Sequence, residues 1–435
     1  MTAEAVPGTV AGPPHTADDP GRPLRIALLT YKGNPFCGGQ GVYVRHLSRE
    51  LVRLGHSVEV IGAQPYPVVD DGVTLTELPS LDLYRQPDPF RTPRPGEYRD
   101  WVDALEVGTM WTGGFPEPLT FSLRARRHLA ARRGDFDVVH DNQTLGYGLL
   151  RDLGAPLVTT IHHPITVDRA LDLAAARGLT RQLSVRRWYG FTRMQKRVAR
   201  RLPSVLTVSG SSRQEIVDHL GVRADRVHVV HIGADARVFS PDPSVPEVPG
   251  RIVTTSSADV PLKGLVHLVE ALAKVRTEHP DAHLVVVGKR ADDGPVAAAI
   301  DRLGLSRAVE FVKGISDGEL ADLVRGAQVA CVPSLYEGFS LPAAEAMATG
   351  TPLVATTGGA IPEVTGADGD TCLAVPPGDA GALAGALGRL LGDDALRRRL
   401  GAAGRERVMG RFTWEQAAIG TVRRYREALA HHHPV

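Results

Sequence analysis

The sequence holds only three cysteines, and Cys37, Cys331 and Cys372 stand far apart. Such spacing builds neither a zinc cluster nor a disulfide framework, so a reduced cytoplasmic setting is the default expectation. Lysine is scarce too, with Lys32, Lys196, Lys263, Lys274, Lys289 and Lys313 making up the whole set. Lys and Arg together number 50 against 49 Asp and Glu, so the cations are mostly arginine. With abundant Ala, Gly and Pro, this is the coding bias of a GC-rich bacterial genome, and arginine richness alone says little about function. Balanced charge gives no global field to draw in nucleic acid. No run of about eighteen apolar residues is present, so nothing reads as a membrane span. Residues 1–23 lack an apolar core and read as a disordered tail rather than a signal peptide. The closing His431-His432-His433 reads as a frayed end rather than a metal site.

What is present is an alternation of buried strands and helices long enough for two domains, at 435 residues. RIALLT (25–30) leads through Gly38-Gly39-Gln40-Gly41 into a helix with Val44, Leu47, Leu51 and Leu54 on one side, then SVEVI. This is a Rossmann-like half, yet Val44 stands where G-x-G-x-x-G has its third glycine, which argues against a dinucleotide dehydrogenase. Residues 64–120, rich in Pro and aromatics, break the alternation as an insertion that is either functional or a packed lid. DFDVVH (135–140), PLVTTIHH (156–163) and SVLTVS (204–209) resume it. Asp135-Phe136-Asp137 mimics a metal-binding D-x-D but sits where polar residues lead into a buried strand. His162 falls at the C-terminal end of its strand, where ligands of open α/β sheets gather.

The expected division is 24–211 for the first domain, 212–410 for the second and 411–435 for a final helix and tail. Thr413 and Gln416 form a capping box, and Trp414, Ala418, Val422, Tyr425 and Leu429 a single stripe behind it. From Arg181 to Arg201 eight cations are interleaved with Trp188, Tyr189 and Phe191. That stretch is either a solvated helix face or a peripheral contact with anionic lipid.

The most informative stretch is 327–363. A buried run, Val329 to Val332, stops at Pro333, and a loop with Glu337 and Gly338 follows. Pro342 suits a first helical turn, and Gly350 suits its left-handed C-cap. Glu337 and Glu345 thus flank one helix start, whose free amides and dipole favour a phosphate. Hydroxyls, a diphosphate and more hydroxyls, in that order, describe a nucleotide sugar.

PSLYEGFSLPAAEAMATGTPLVAT resembles the donor-site signature of the retaining glycosyltransferases of family 4. Lys263-Gly264, the Gly38–Gly41 loop, Thr160-Ile161-His162 and the segment with Gly233, Asp235 and Phe239 extend the resemblance from about residue 25 to 429. It implies the α/β GT-B fold: two Rossmann-like domains facing a central cleft, with a C-terminal helix crossing back to the first. It also implies retaining hexosyl transfer from a UDP- or GDP-sugar to a small-molecule or lipid-linked acceptor, without metal or other cofactor. The roles it implies are catalytic for Glu337, Lys263 and His162. Donor binding falls to Gly39, Gly41, Lys263, Gly338, Phe339, Ser340, Leu341 and Glu345. The family's arginine upstream of the lysine is missing, since Ser257 and Ala258 stand there, and Lys289 is the nearest replacement in motif order. A sugar-phosphate synthase or phosphorylase on the same scaffold is the alternative enzyme. A nucleotide-sugar-binding protein without turnover is the alternative outside enzymes.

Overall fold

The computed structural model describes residues 21–33, 39–85, 87–258, 260–290 and 293–432. Gly38, Cys37, His433 and most of the expected tail lie outside them. The first sheet contains β1 (Arg25–Thr30), β2 (Ser57–Gly62), β3 (Thr74–Glu77), β4 (Val138–Asn142), β5 (Leu157–Thr160), β6 (Val205–Thr207) and β7 (Val227–Val229). Their order is β3-β2-β1-β4-β5-β6-β7, and every neighbouring pair is parallel. The second sheet contains β8 (Val248–Thr255), β9 (His283–Val287), β10 (Val309–Val312), β11 (Ala327–Val332), β12 (Leu353–Thr356) and β13 (Leu373–Val375). It runs β10-β9-β8-β11-β12-β13, again all parallel. Both sheets are doubly wound, and each reverses its strand order beside its first strand, at β1/β4 and β8/β11. That reversal opens a crevice at the carboxyl ends of the strands.

Local sequence explains these elements. Helices cover both faces of parallel strands, so β1, β11 and β12 are largely apolar runs buried along most of their length, while β4 buries two valines and then the polar His140, Asp141 and Asn142. β4 starts at Val138 rather than at 135 because Asp137 is engaged just outside the sheet. It accepts the Arg25 amide at 2.8 Å and pairs with Arg22 and Arg25. Asp135 pairs with Arg132 at 2.8 Å. Val44 is fully buried in the core, which is why a glycine is not wanted there.

Two expectations about organisation need correction. The first domain does not stop at 211: Val205, Leu206 and Thr207 pair with Val227, His228 and Val229, so its sheet extends to residue 229. A three-residue strand has no periodicity of its own, and only its partner identifies it. The 64–120 insertion is also more regular than its composition suggests. It holds β3, a helix at Trp101–Trp111 and the start of another at Glu117–Ala130. Leu81, Leu83, Val107 and Met110 form a small core of its own, beside a buried ion cluster in which Arg124 reaches Asp103 at 2.6 Å and also Glu106.

The domains are joined through one continuous apolar core. The linking segment and the chain before the last helix pack so closely that a Cβ on Gly233 would stand 1.8 Å from the Phe412 carbonyl oxygen. Thr413 then caps the last helix, Trp414–Ala430, accepting the Gln416 amide at 3.2 Å. That helix returns to the first domain as expected. Trp414 stacks on His46 with 5.0 Å between ring centroids, and the Tyr425 hydroxyl reaches His140 Nδ1 at 2.5 Å. Among the described residues no helix is long and apolar enough to cross a membrane.

Candidate active site

The side expected to hold the donor is built on the β11 carboxyl end. Pro333 stops the strand, and residues 334–340 loop back before the helix Leu341–Thr349 begins, with Pro342 in its first turn. Gly350 ends the helix at φ +81°, a left-handed cap that a side chain would strain. The loop is wedged between two others. Gly264, at φ +65°, leaves a gap in which a Cβ would stand 2.0 Å from the Pro333 carbonyl oxygen, so Lys263 is drawn against the loop.

Lys263 and Glu337 are brought into direct contact. Lys263 Nζ donates to Glu337 Oε1 at 2.7 Å, and the Ser334 hydroxyl donates to the same oxygen at 2.7 Å. Glu345 lies eight positions further on and inside the helix. It makes no hydrogen bond to the described residues, and the enclosing protein with nearby Asp317 pushes its carboxyl up to about 7. The amides of Gly338, Phe339 and Ser340 likewise donate to no described acceptor. The Ser340 hydroxyl is buried without a partner. Phe339 differs from the rest: its ring is buried against Phe412, 6.0 Å between centroids, so only its backbone can face a ligand. One carboxylate, one ion pair and three unused amides therefore surround one helix start. That arrangement accepts an anion flanked by hydroxyl groups.

The facing side, expected to hold the acceptor, forms at the ends of β1, β4 and β5. His162 Nε2 bonds Asn142 Oδ1 at 2.8 Å, and Asn142 Nδ2 donates to the Gln40 carbonyl at 3.3 Å. Gly39 and Gly41 lie in the first turn of the helix Gly39–Arg53 rather than in a loop before it, and that turn is thus tied to the strand end that carries His162. Burial lowers the His162 imidazole to about 3, so it is neutral at working pH. Beneath it, sequence inspection missed a polar chain. Tyr425, His140, Thr160 and Tyr43 are linked by hydrogen bonds of 2.5, 2.7 and 2.9 Å, and the Tyr43 ring meets His162 edge-on at 4.7 Å. The histidine in VVHDN was the only cue, and its partner lies 285 residues away.

The two sides meet. Ser209 and Ser212, beyond β6, donate to the Gly338 carbonyl at 2.6 and 3.1 Å. Glu363 accepts the Gly210 and Ser211 amides at 2.7 and 2.8 Å, capping a helix of the other domain. Arg49 pairs with Asp235 at 2.6 Å and Arg237 with Glu50 at 2.9 Å. The Ala258 amide donates to the Lys289 carbonyl at 3.0 Å, so the Lys289 backbone runs beside the Ser257–Ala258 position where the resemblance expects an arginine. A separate cavity of about 520 Å³ lies between the start of β5, Ser204 and the last helix, at the amino ends of the strands and away from these residues.

Residues 37–238 match the model of Glycosyltransferase Family 4, and residues 241–407 match that of Glycosyl transferases group 1. The chain is 55% identical over 410 residues to the MMP alpha-(1->4)-mannosyltransferase of Mycolicibacterium hassiacum, covering 94% of this chain and 99% of that one. It is 27% identical to the glycogen synthase of Mycobacterium tuberculosis, covering 92% and 94%. Among solved structures, sucrose-phosphate synthase of Thermosynechococcus elongatus superposes with a TM-score of 0.69 at 25% identity, covering 94% and 99%.

Proposed function

The chain belongs to the glycosyltransferases of family 4 and has their GT-B fold, and from that membership we propose retaining transfer of a hexosyl group, mannosyl first, from a nucleotide-diphosphate sugar to a saccharide hydroxyl. The observation that carries this reading is the Lys263–Glu337 pair set against unused amides at the start of the helix that holds Glu345. The relative's name supplies the sugar and the α-(1→4) linkage.

In this reading Glu345 accepts the ribose hydroxyls, and the amides of Gly338 to Leu341 hold the diphosphate with Lys263. The bond from C1 to the leaving phosphate oxygen breaks, and the acceptor oxygen bonds C1 on the same face. The acceptor's proton passes to the leaving phosphate. Negative charge grows on that oxygen, so a fixed cation and fixed amides aimed at it stabilise the transition state more than the ground state. Lys263 supplies that charge and no metal or other cofactor is required. Glu337, exchanging Lys263 for a sugar hydroxyl, orients the donor ring. Gly39 and Gly41 let the first domain approach the diphosphate, and neutral His162 faces the donor sugar. A nucleotide donor implies work in the cytoplasm, with any contact to the inner face of the membrane made through Arg181–Arg201. Likeness to sucrose-phosphate synthase favours a sugar-phosphate acceptor as the second reading.

A thermal-shift panel of UDP-, GDP-, ADP- and dTDP-sugars tests the donor. The right one stabilises the protein by about 2.7 kcal/mol at a hundredfold excess over its Kd. No shift with any of them removes the proposal.

A further inference from the structure

Trp188, Tyr189 and Phe191 are half-buried rather than standing free on the surface. Trp188 packs inward against Phe115 at 5.1 Å and Tyr84 at 5.7 Å, with Phe90 edge-on at 6.1 Å. Between the 64–120 insertion and the helix Leu179–Trp188 this leaves a cavity of about 380 Å³, within the range of small-ligand sites. Phe90, Trp188 and Tyr189 line one part of it, and Asp172, Arg181 and Ser184 the rim. The Tyr189 hydroxyl donates to Asp172 at 2.8 Å, holding ring and carboxylate in one orientation.

One helix links the cavity to the strand end that carries His162. Asp172 sits on the helix Ile165–Ala175, which begins directly after His162 and His163, and His163 bonds Asp168 of that helix at 3.0 Å. On the opposite flank Lys32, just past β1, stands 4.8 Å over the Phe115 ring that packs on Trp188. A pyranose ring has apolar C–H faces and hydroxyls around its edge. Rigid aromatic faces with a carboxylate, a guanidinium and a hydroxyl at the rim match that pattern.

Resting on the glycosyl-transfer reading, we propose that this groove is an acceptor subsite that holds a distal unit of a glycan chain while its end is extended at the cleft. The competing occupant is lipid. Leu179 and Leu183 on the same helix are 79% and 61% exposed next to Arg181 and Arg186. The concave shape and the carboxylate at the rim favour the saccharide over an anionic surface.

The test uses α-(1→4)-linked manno-oligosaccharides of two to six units. Wild-type KM falls with length by about tenfold, the worth of one or two hydrogen-bonded contacts. Ser184→Trp fills the groove and Asp172→Ala removes its acceptor; both flatten that dependence and leave donor affinity at the wild-type value. Calorimetric titration of the hexasaccharide, which needs no turnover, loses its binding signal in Ser184→Trp. Transfer that is independent of length in the wild type, or equal hexasaccharide binding in both proteins, overturns the subsite. Flotation with phosphatidylglycerol vesicles that Ser184→Trp abolishes, with length dependence intact, overturns it in favour of lipid. A wild type that binds the hexasaccharide but no nucleotide sugar fails the transfer reading and leaves the subsite standing.

Discussion

Lys263 Nζ and Glu337 Oε1 stand 2.7 Å apart, joining the one conspicuous cation of the donor loop to the carboxylate expected to face the sugar. Each neutralises the other, and in the proposed reaction a diphosphate competes with Glu337 for Lys263. In the proposed role, removing the lysine takes away the transition-state cation and leaves a carboxylate repelling the phosphates. Lys263→Ala is therefore expected to lose about 10²–10³-fold in kcat. Glu337→Ala should lower kcat more than donor affinity, and the double variant should fall short of the product of the two losses, as contacting residues do. Steady-state kinetics on the three variants decide this. Wild-type kcat/KM in either single variant removes the assignment.

Glu345 gives a pH signature. Its carboxyl is raised from 4.5 to about 7 by desolvation and by Asp317. The unfolded chain gives up this proton near 4.5 while the folded protein holds it to about 7. Its contribution to stability is thus fully present below 4.5 and lost as pH rises through 7. In the proposed role Glu345 meets the ribose hydroxyls as a carboxylate, so nucleotide affinity should rise from pH 6 to pH 8 and binding at pH 6 should release a proton. Calorimetry in buffers of different ionisation heat reads both effects, and Glu345→Gln should bind weakly and without the pH dependence.

Glu363 clamps the domains through two charge-assisted bonds to the Gly210 and Ser211 amides. Such bonds contribute roughly 1.5–3 kcal/mol each. Glu363→Ala should shift the unliganded protein toward an open form, seen as a larger radius of gyration in solution scattering. Donor KM should rise by about tenfold, the equivalent of 1.4 kcal/mol. An unchanged radius and KM would show that the salt bridges Arg49–Asp235 and Arg237–Glu50 hold the cleft shut without it.

His162 is lowered from 6.5 to about 3 by burial. A histidine depressed in this way is neutral when folded, so its stabilising contribution is present above 6.5 and lost as pH falls toward 3. The pH profile of kcat should carry no limb near 6.5 from this residue. His162→Ala should still reduce kcat across pH 6 to 8, because the imidazole acts through contact rather than charge. A wild-type limb near 6.5 that disappears in His162→Ala contradicts this.

Much of the frame was legible from local pattern. RIALLT is β1 at the expected residues, and Pro342 and Gly350 bracket the donor helix as their backbone preferences require. These features depend on residues within one turn or strand of each other. The features that escaped depend on distance along the chain. Glu363 reads as an ordinary acidic turn until its partners, more than 150 residues earlier, come within 2.8 Å. His140 reads as part of a strand until Tyr425 meets it. The Lys263–Glu337 contact was the reverse case: both residues were singled out, but motif order gave each a separate role and could not show that they pair.

The most direct test of the whole account is the anomeric configuration of the product. The enzyme is incubated with GDP- and UDP-linked mannose and glucose and an α-(1→4)-linked mannobiose acceptor, with and without EDTA, and the new linkage is read by proton NMR. Retaining, metal-independent transfer gives an α-linked product from one of the α-linked donors, formed at the same rate in EDTA. A β-linked product, or transfer that stops in EDTA and returns with Mg²⁺ or Mn²⁺, contradicts it.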